Sequence, residues 1–316
     1  MQQLALWTFR GDILHPNNIS AIVVIDDGQY LAIAGDEGAS VQILRRRAPG
    51  DYDVDGIIDL KDQLEDKKSE IDIEGLAFSD FRLYVLGSHS KKREKLNPKR
   101  TQKHNRDRLK QRDKQPDRQG LFEIKYLGRG KFSDKVKPCD LLPTLKENDL
   151  LAPFLAIPSK ENGIDLEGLA AEGDDLLVGF RGPVLREGLV PILKLDFDKP
   201  EKADVLLVDL GGRGIRDLVR TNSDYLILAG PMRDEPLSYR IYQWNGKDAI
   251  PGRDCDQANL PRNLGEVPLP HFGAKPEGLG LVEETEAYFD VVLVCDSSSN
   301  GSPTVLRIAK PILVSP

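Results

Sequence analysis

At 316 residues with 40% hydrophobic side chains, the chain can bury a sizeable core. No apolar run approaches the roughly 20 residues that a membrane span needs. A formal charge of −7 argues against nonspecific nucleic-acid binding by the whole body. Three unpaired-looking cysteines (Cys139, Cys255, Cys295), and no basic region before an apolar stretch at the N-terminus, fit a reduced cytoplasmic protein.

In chain order, Leu4-Ala5-Leu6-Trp7-Thr8-Phe9 comes first, a run of strand character. Then a pattern recurs five times: a short apolar strand opens on a polar anchor, turns, and is followed by a second apolar strand. The copies begin Asn18-Ile19-Ser20-Ala21-Ile22, Ile71-Asp72-Ile73-Glu74-Gly75-Leu76, Ile164-Asp165-Leu166-Glu167-Gly168-Leu169, Gly214-Ile215-Arg216-Asp217-Leu218 and Lys275-Pro276-Glu277-Gly278-Leu279. Their second strands are Tyr30–Ala34, Leu83–Leu86, Leu176–Phe180, Tyr225–Ala229 and Val291–Cys295. A third strand follows each pair: Ser40–Leu44, Leu121–Tyr126, Val190–Leu195, Arg240–Trp244 and Thr304–Ile308. Hairpin repeats of this kind predict an all-β propeller in one domain spanning 1–316. Five blades of about 50–60 residues account for the chain, and six remain open if one repeat has diverged. The run Leu4–Phe9 is expected to close the ring beside the C-terminal blade.

Two stretches interrupt the rhythm. Between Lys91 and Arg118 stand thirteen Lys or Arg against four Asp or Glu, a local charge of +9 that leaves −16 on the rest. So polar a segment cannot bury enough apolar area to fold alone and reads as a flexible loop in the second blade. It could capture anions, but it lacks the stacking aromatics that argue for specific nucleic-acid recognition. The second stretch, Asp140–Ile157, has helical leucine spacing and predicts a short helix or two.

In a propeller the first strand of each blade starts at one mouth of the channel, and the second returns there. Ser20, Glu74, Glu167, Arg216 and Glu277 should therefore ring that mouth, with Asp36, His89, Arg181, Gly230 and Asp296 around them. Two carboxylates about 4 Å apart repel by roughly 4 kcal/mol at an effective dielectric near 20. A proton, the Arg216 guanidinium or a bound cation must neutralise three converging glutamates. Oxygen donors suit Ca²⁺ better than Zn²⁺. A structural ion-pair ring and a ligand site both remain open at this point. His89, at a strand end, is the residue placed to handle protons.

The combination Asp72-Ile-Glu-Gly-Leu-Ala, Leu83-Tyr-Val-Leu-Gly-Ser-His-Ser with a basic run behind it, and the later Glu-Gly-Leu copies resembles a bacterial family of unknown function (number 3616). The resemblance runs from about Asn18 to Ser298. It implies a single propeller and no established activity. More distantly, the ring is similar to that of soluble calcium-activated apyrases and phytase-like esterase propellers. That likeness implies Ca²⁺ on Ser20, Glu74, Glu167 and Glu277, with Arg216 a departure from an all-oxygen ring. It also implies a calcium-assisted phosphoester or phosphoanhydride hydrolase, in which His89 and Arg181 act on a small phosphate-bearing ligand. A non-catalytic monomeric propeller that binds a ligand or protein at the mouth is the alternative.

Overall fold

The computed structural model describes residues 1–67, 69–110, 116–233, 235 and 237–311. The chain opens with two short strands, β1 (Gln2–Leu6) and β2 (Thr8–Arg10), and then builds blade by blade. Blade 1 comprises β3 (Ile19–Ile25), β4 (Tyr30–Gly35), β5 (Ser40–Ala48) and β6 (Asp51–Asp59). Blade 2 comprises β7 (Ile73–Ser79), β8 (Arg82–Gly87), β9 (Leu121–Gly128) and β10 (Lys131–Cys139). Blade 3 comprises β11 (Asp165–Glu172), β12 (Asp175–Gly182), β13 (Leu189–Asp196) and β14 (Lys199–Asp209). Blade 4 comprises β15 (Gly214–Arg220), β16 (Tyr225–Gly230), β17 (Arg240–Trp244) and β18 (Arg262–Glu266). Blade 5 comprises β19 (Lys275–Glu284), β20 (Tyr288–Asp296) and β21 (Thr304–Ala309). Within each blade the successive strands pair antiparallel, and β1 adds the fourth strand of blade 5. The result is a five-bladed propeller. Its inner strands β3, β7, β11, β15 and β19 each touch the next, and β19 returns to β3.

The burial of each strand follows from its rank in the blade. A second strand has a neighbouring blade on both faces, so β16, for instance, is buried along its whole length and reads Tyr-Leu-Ile-Leu-Ala-Gly. A fourth strand lies at the rim and reads as a charged alternation: β10 is Lys-Phe-Ser-Asp-Lys-Val-Lys-Pro-Cys, with only Cys139 buried. Between blades the faces interdigitate. Leu226, Leu228 and Ile241 of blade 4 pack on Leu279, Val291 and Leu293 of blade 5. Each such side chain contributes about 1.5–3 kcal/mol on full burial.

Closure differs from the expectation of one strand over Leu4–Phe9. The run divides between two blades: β1 pairs antiparallel with β21, and β2 pairs parallel with β6. Trp7 sits at the crossover, its N–H donated to Pro303 O and the next N–H, of Thr8, to Gly50 O, both at 2.8 Å. Gly50 has φ +75°, and a Cβ there would lie 2.8 Å from the Trp7 ring, so this seam needs a glycine twice over.

The two interruptions also take form. Asp140–Ile157 holds α2 (Leu142–Glu147) and a 3-10 turn over Ala152–Phe154. The basic segment is more ordered than a flexible loop: it contains α1 (Gln102–Lys110), although residues 111–115 lie outside the described residues. Contacts at its two ends supply the order that its composition lacks. Lys91 O accepts from Ser159 N at 2.9 Å, Arg93 Nη2 donates to Glu161 Oε2 at 3.1 Å, and Arg118 is buried between Glu70 and Asp72. Among the described residues no helix is long and apolar enough to cross a membrane.

Candidate functional site

Each anchor occupies a β-bulge. In blade 2, Ile73 faces Gly87 and Gly75 faces Leu86, so Glu74 has no partner across the ladder. The same slip leaves out Ser20, Glu167, Arg216 and Glu277 in the other four blades. A bulged residue is turned out of the regular alternation, which lets an inner strand aim one polar side chain at the channel mouth while its neighbours stay in the core. The glycine after each glutamate serves this close approach. A Cβ on Gly278 would meet Val294 Cγ2 at 2.6 Å, and one on Gly75 would meet Glu167 O at 2.9 Å.

The ring so formed is an ion-pair network. Glu167 Oε1 lies 2.6 Å from Arg181 Nη1, and its Oε2 lies 3.0 Å from Arg216 Nη1. Arg216 Nη2 also pairs with Glu277, and Arg181 Nη2 with Asp165. Arg181 is itself skipped by the ladder in blade 3, which brings it to the ring from the second strand. On the blade 2 side, Asp72 has φ +59° and accepts hydrogen bonds from Ser88 and Ser90 as well as from Arg118. Below the ring, Asp217 stands where three other blades have glycine. Its carboxylate accepts the backbone N–H of Leu218 (2.7 Å) and of Leu279 in blade 5 (2.6 Å). It joins inner strands as a buried staple.

Burial dominates the protonation of the ring. It pushes Glu167 up to about 8 against the pull of Arg181 and Arg216, and Glu277 up to about 7 against Arg216. Glu74 is raised well above the ordinary carboxylate range, first by burial and then by Glu167, Asp72 and Glu277. It is half-buried and makes no hydrogen bond or ion pair among the described residues. Burial and its acidic neighbours thus favour the neutral form of Glu74, while its carboxyl stays reachable from solvent.

Other expected site residues are placed differently. Ser20 is fully buried and donates its hydroxyl hydrogen to Ile73 O at 2.5 Å, stapling blade 1 to blade 2. Asp36 and Asp296 lie close enough to raise the pKa of Asp36 after burial has done so, and Asp296 takes Lys275 at 2.6 Å. His89, at φ +53°, is not brought to the ring. Its Nδ1 is 2.8 Å from Gly87 O, its Nε2 is buried without a hydrogen-bond partner, and its charged neighbour is Asp140. Burial pushes it down to about 4, so it is neutral and shielded.

The donor set does not fit calcium. A Ca²⁺ ion takes six to eight oxygens. Here Glu167 and Glu277 are engaged by guanidiniums and the Ser20 hydroxyl by a carbonyl. Among the described residues, no three His, Cys, Asp or Glu side chains form a metal-binding group.

Reading the anchors alone misses Asp72, Asp165, Arg118 and Tyr239. The two aspartates carry a signal: each stands two residues before its glutamate. Arg118 is hidden among the basic residues of its segment, and Tyr239 comes from an irregular loop.

The fold and site define a five-bladed propeller with a bulge-built polar ring at one end of its channel. The chain belongs to the family described as "Protein of unknown function (DUF3616)", which matches residues 18–304. No curated protein matches it. Among solved structures it is similar to an exo-beta-1,3-galactanase from Clostridium thermocellum, with 8% identity and a TM-score of 0.52 over 99% of this chain and 63% of that chain. It is also similar to an exo-beta-1,3-galactanase from Phanerochaete chrysosporium, with 9% identity and a TM-score of 0.49 over 98% of this chain and 64% of that chain. At such identities the likeness is one of fold alone, and the chain spans less than two thirds of either of those chains.

Proposed function

We propose that the protein is a ligand-binding propeller whose site is the ringed mouth of the channel, with Glu74 as the group that meets the ligand. One observation carries this reading. Arg181 and Arg216 take up Glu167 and Glu277, while Glu74 keeps a reachable carboxyl without a partner among the described residues. Two residues further down each inner strand the lining becomes Ile22, Leu76, Leu169, Leu218 and Leu279. A polar ligand entering at the mouth would stop there, because passing that belt would strip its hydration without compensation. A thermal-shift screen of a metabolite library against the native protein and Glu74→Gln tests the reading. A compound that raises the Tm of the native protein and not of the variant supports it. Equal shifts in both would move the site elsewhere.

A second reading, hydrolysis, draws on the difference in protonation within the ring: Glu74, whose neutral form burial favours, offers an acid beside carboxyls that can ionise near pH 7–8. It requires neither calcium nor His89. Its expected signature is turnover of p-nitrophenyl phosphate or p-nitrophenyl glycosides that survives chelation and is lost in Glu74→Gln. Calcium-dependent phosphatase turnover, lost in Glu167→Gln, would instead restore the metal-assisted phosphohydrolase, with Ser20, Glu74, Glu167 and Glu277 regrouped around the ion.

A further inference from the structure

We propose that the mouth selects a ligand carrying a positively charged amine, held between the Glu74 carboxylate and the Tyr239 phenol; this rests on the mouth being the ligand site. The first argument is charge. Asp72, Glu74, Asp165, Glu167 and Glu277 are electrostatically linked around the mouth, against the guanidiniums of Arg118, Arg181 and Arg216. With Asp296, Lys92 and Lys275, which also act on these groups, six acids face five cations in formal charge, an excess of one that protons on the buried carboxyls offset, and Arg118 is shared further with Glu70. An anion would add to that excess. It would also find the donors spent, since the Nη groups of Arg181 and Arg216 face Asp165, Glu167 and Glu277, and their Nε atoms are buried out of reach.

The second argument is the number of acceptors on offer. Calcium asks for six to eight oxygens, whereas a primary ammonium donates only three hydrogen bonds. Two reachable groups stand without partners among the described residues: the Glu74 carboxyl and the Tyr239 hydroxyl. Tyr239 is 9% exposed, and its phenol stands in the field of Arg216, Glu277, Glu167 and Lys275. Gly230 makes the room: a Cβ there would come within 2.5 Å of the Tyr239 ring and 3.0 Å of Arg216 Cγ. Burial keeps the phenol protonated, so its oxygen accepts through lone pairs while the ring edges the site. A carboxylate and an aromatic side chain that share the field of Glu167 and Glu277 suit an ammonium.

The third argument concerns the proton. Glu74 faces Glu167, Asp72 and Glu277, with Arg181 the opposing charge. A cation arriving at Glu74 lowers the cost of ionising it, so the ligand's charge replaces a proton that leaves to solvent. Affinity should then rise with pH, by up to about tenfold per unit, until the amine itself deprotonates.

Three probes of one skeleton test this: ethanolamine (cationic), ethylene glycol (neutral) and glycolate (anionic), titrated by NMR at millimolar concentration between pH 6 and 8. Ethanolamine should bind at least about tenfold better than the other two and tighten with pH. Its binding should be lost in Glu74→Gln and weakened in Tyr239→Phe, with circular dichroism confirming that both variants remain folded. Equal binding of ethylene glycol or glycolate through Glu74 would overturn the amine while leaving the mouth a ligand site. Ethanolamine binding that ignores Glu74, or that is flat with pH, overturns the inference outright. So does the absence of Glu74-dependent binding by any probe, and the library screen then judges the ligand reading separately.

Discussion

The two halves of the channel are built from the same five strands and obey opposite rules. At the mouth, bulges bring charged groups together in a space where carboxylates are costly to ionise. Two residues along, Ile22, Leu76, Leu169, Leu218 and Leu279 meet as an apolar belt above a 190 Å³ cavity that reaches Val24, Phe78 and Leu281. The belt side chains hold inner strands together by burial, with Asp217 binding the backbone of Leu218 and Leu279 beside them. The ring does not need to: buried ion pairs are often matched or bettered in stability by apolar side chains of similar volume. The contrast sets a belt that serves packing against a ring that we propose as the ligand site.

The sharpest way to break that contrast is Arg216→Ala. It strands Glu277 and leaves Glu167 to Arg181 alone, and a loss of about 3–5 kcal/mol in urea unfolding is expected at pH 8. The loss should shrink at pH 6, where both glutamates can take protons. A pH-independent loss would mean that Arg216 matters only as packing. Leu169→Ala in the belt should cost about 2–5 kcal/mol with no such pH dependence. Gly278→Ala, pressing on Val294, Ile22 and Ala21, should cost about 1–3 kcal/mol by overpacking; an unchanged Tm would show that the bulge can relax. In the native protein, Glu167 and Glu277 have folded-state values near 8 and 7, above the ordinary 4.5, so the fold holds protons that the unfolded chain releases. Their contribution therefore falls as pH rises. The opposing effect of His89, whose folded value is lowered, fades as pH rises through 6.5. The two glutamates alone should cost about 2 kcal/mol per unit between pH 6.5 and 7 and about 1 toward 8, Glu74 and Asp217 act in the same direction, and Glu167→Gln should make the slope shallower. The smallest effect is expected far from both halves: neutralising Lys99, Arg100 and Lys103 on the basic segment should shift stability by less than about 0.5 kcal/mol.

How much of this the sequence discloses depends on whether a residue's role is local. The inner, second and third strands announce themselves because neighbouring blades bury them into apolar runs. The fourth strands do not: β14 opens Lys-Pro-Glu-Lys before its first apolar side chain and buries only Val208 fully. The anchors are legible because glycine must follow a bulged glutamate against the neighbouring strand. Their partners are not, since Arg181 reaches Glu167 only through a second slip in the ladder, and Arg118 reaches Asp72 across 46 residues. Histidine at a strand end suggests chemistry, but φ +53° and a bond back to Gly87 turn His89 away from it. Alternation along a strand tells which residues share a face, and not which of them meet across an axis.

The divided N-terminal run has a consequence for how the molecule is made. Gln2 pairs with Arg307 and Leu6 with Thr304, so β1, made before blades 1 to 4, completes a sheet whose other members are made after them. Blades 1 to 4 can assemble from neighbouring hairpins as the nascent chain emerges, whereas blade 5 must bring β1 and β21 together across all of them. Contacts of such sequence separation are the slow ones in folding. Ring closure should accordingly be the last cooperative step, and until it occurs the nascent protein carries the exposed edge of β21, an invitation to pair with another chain.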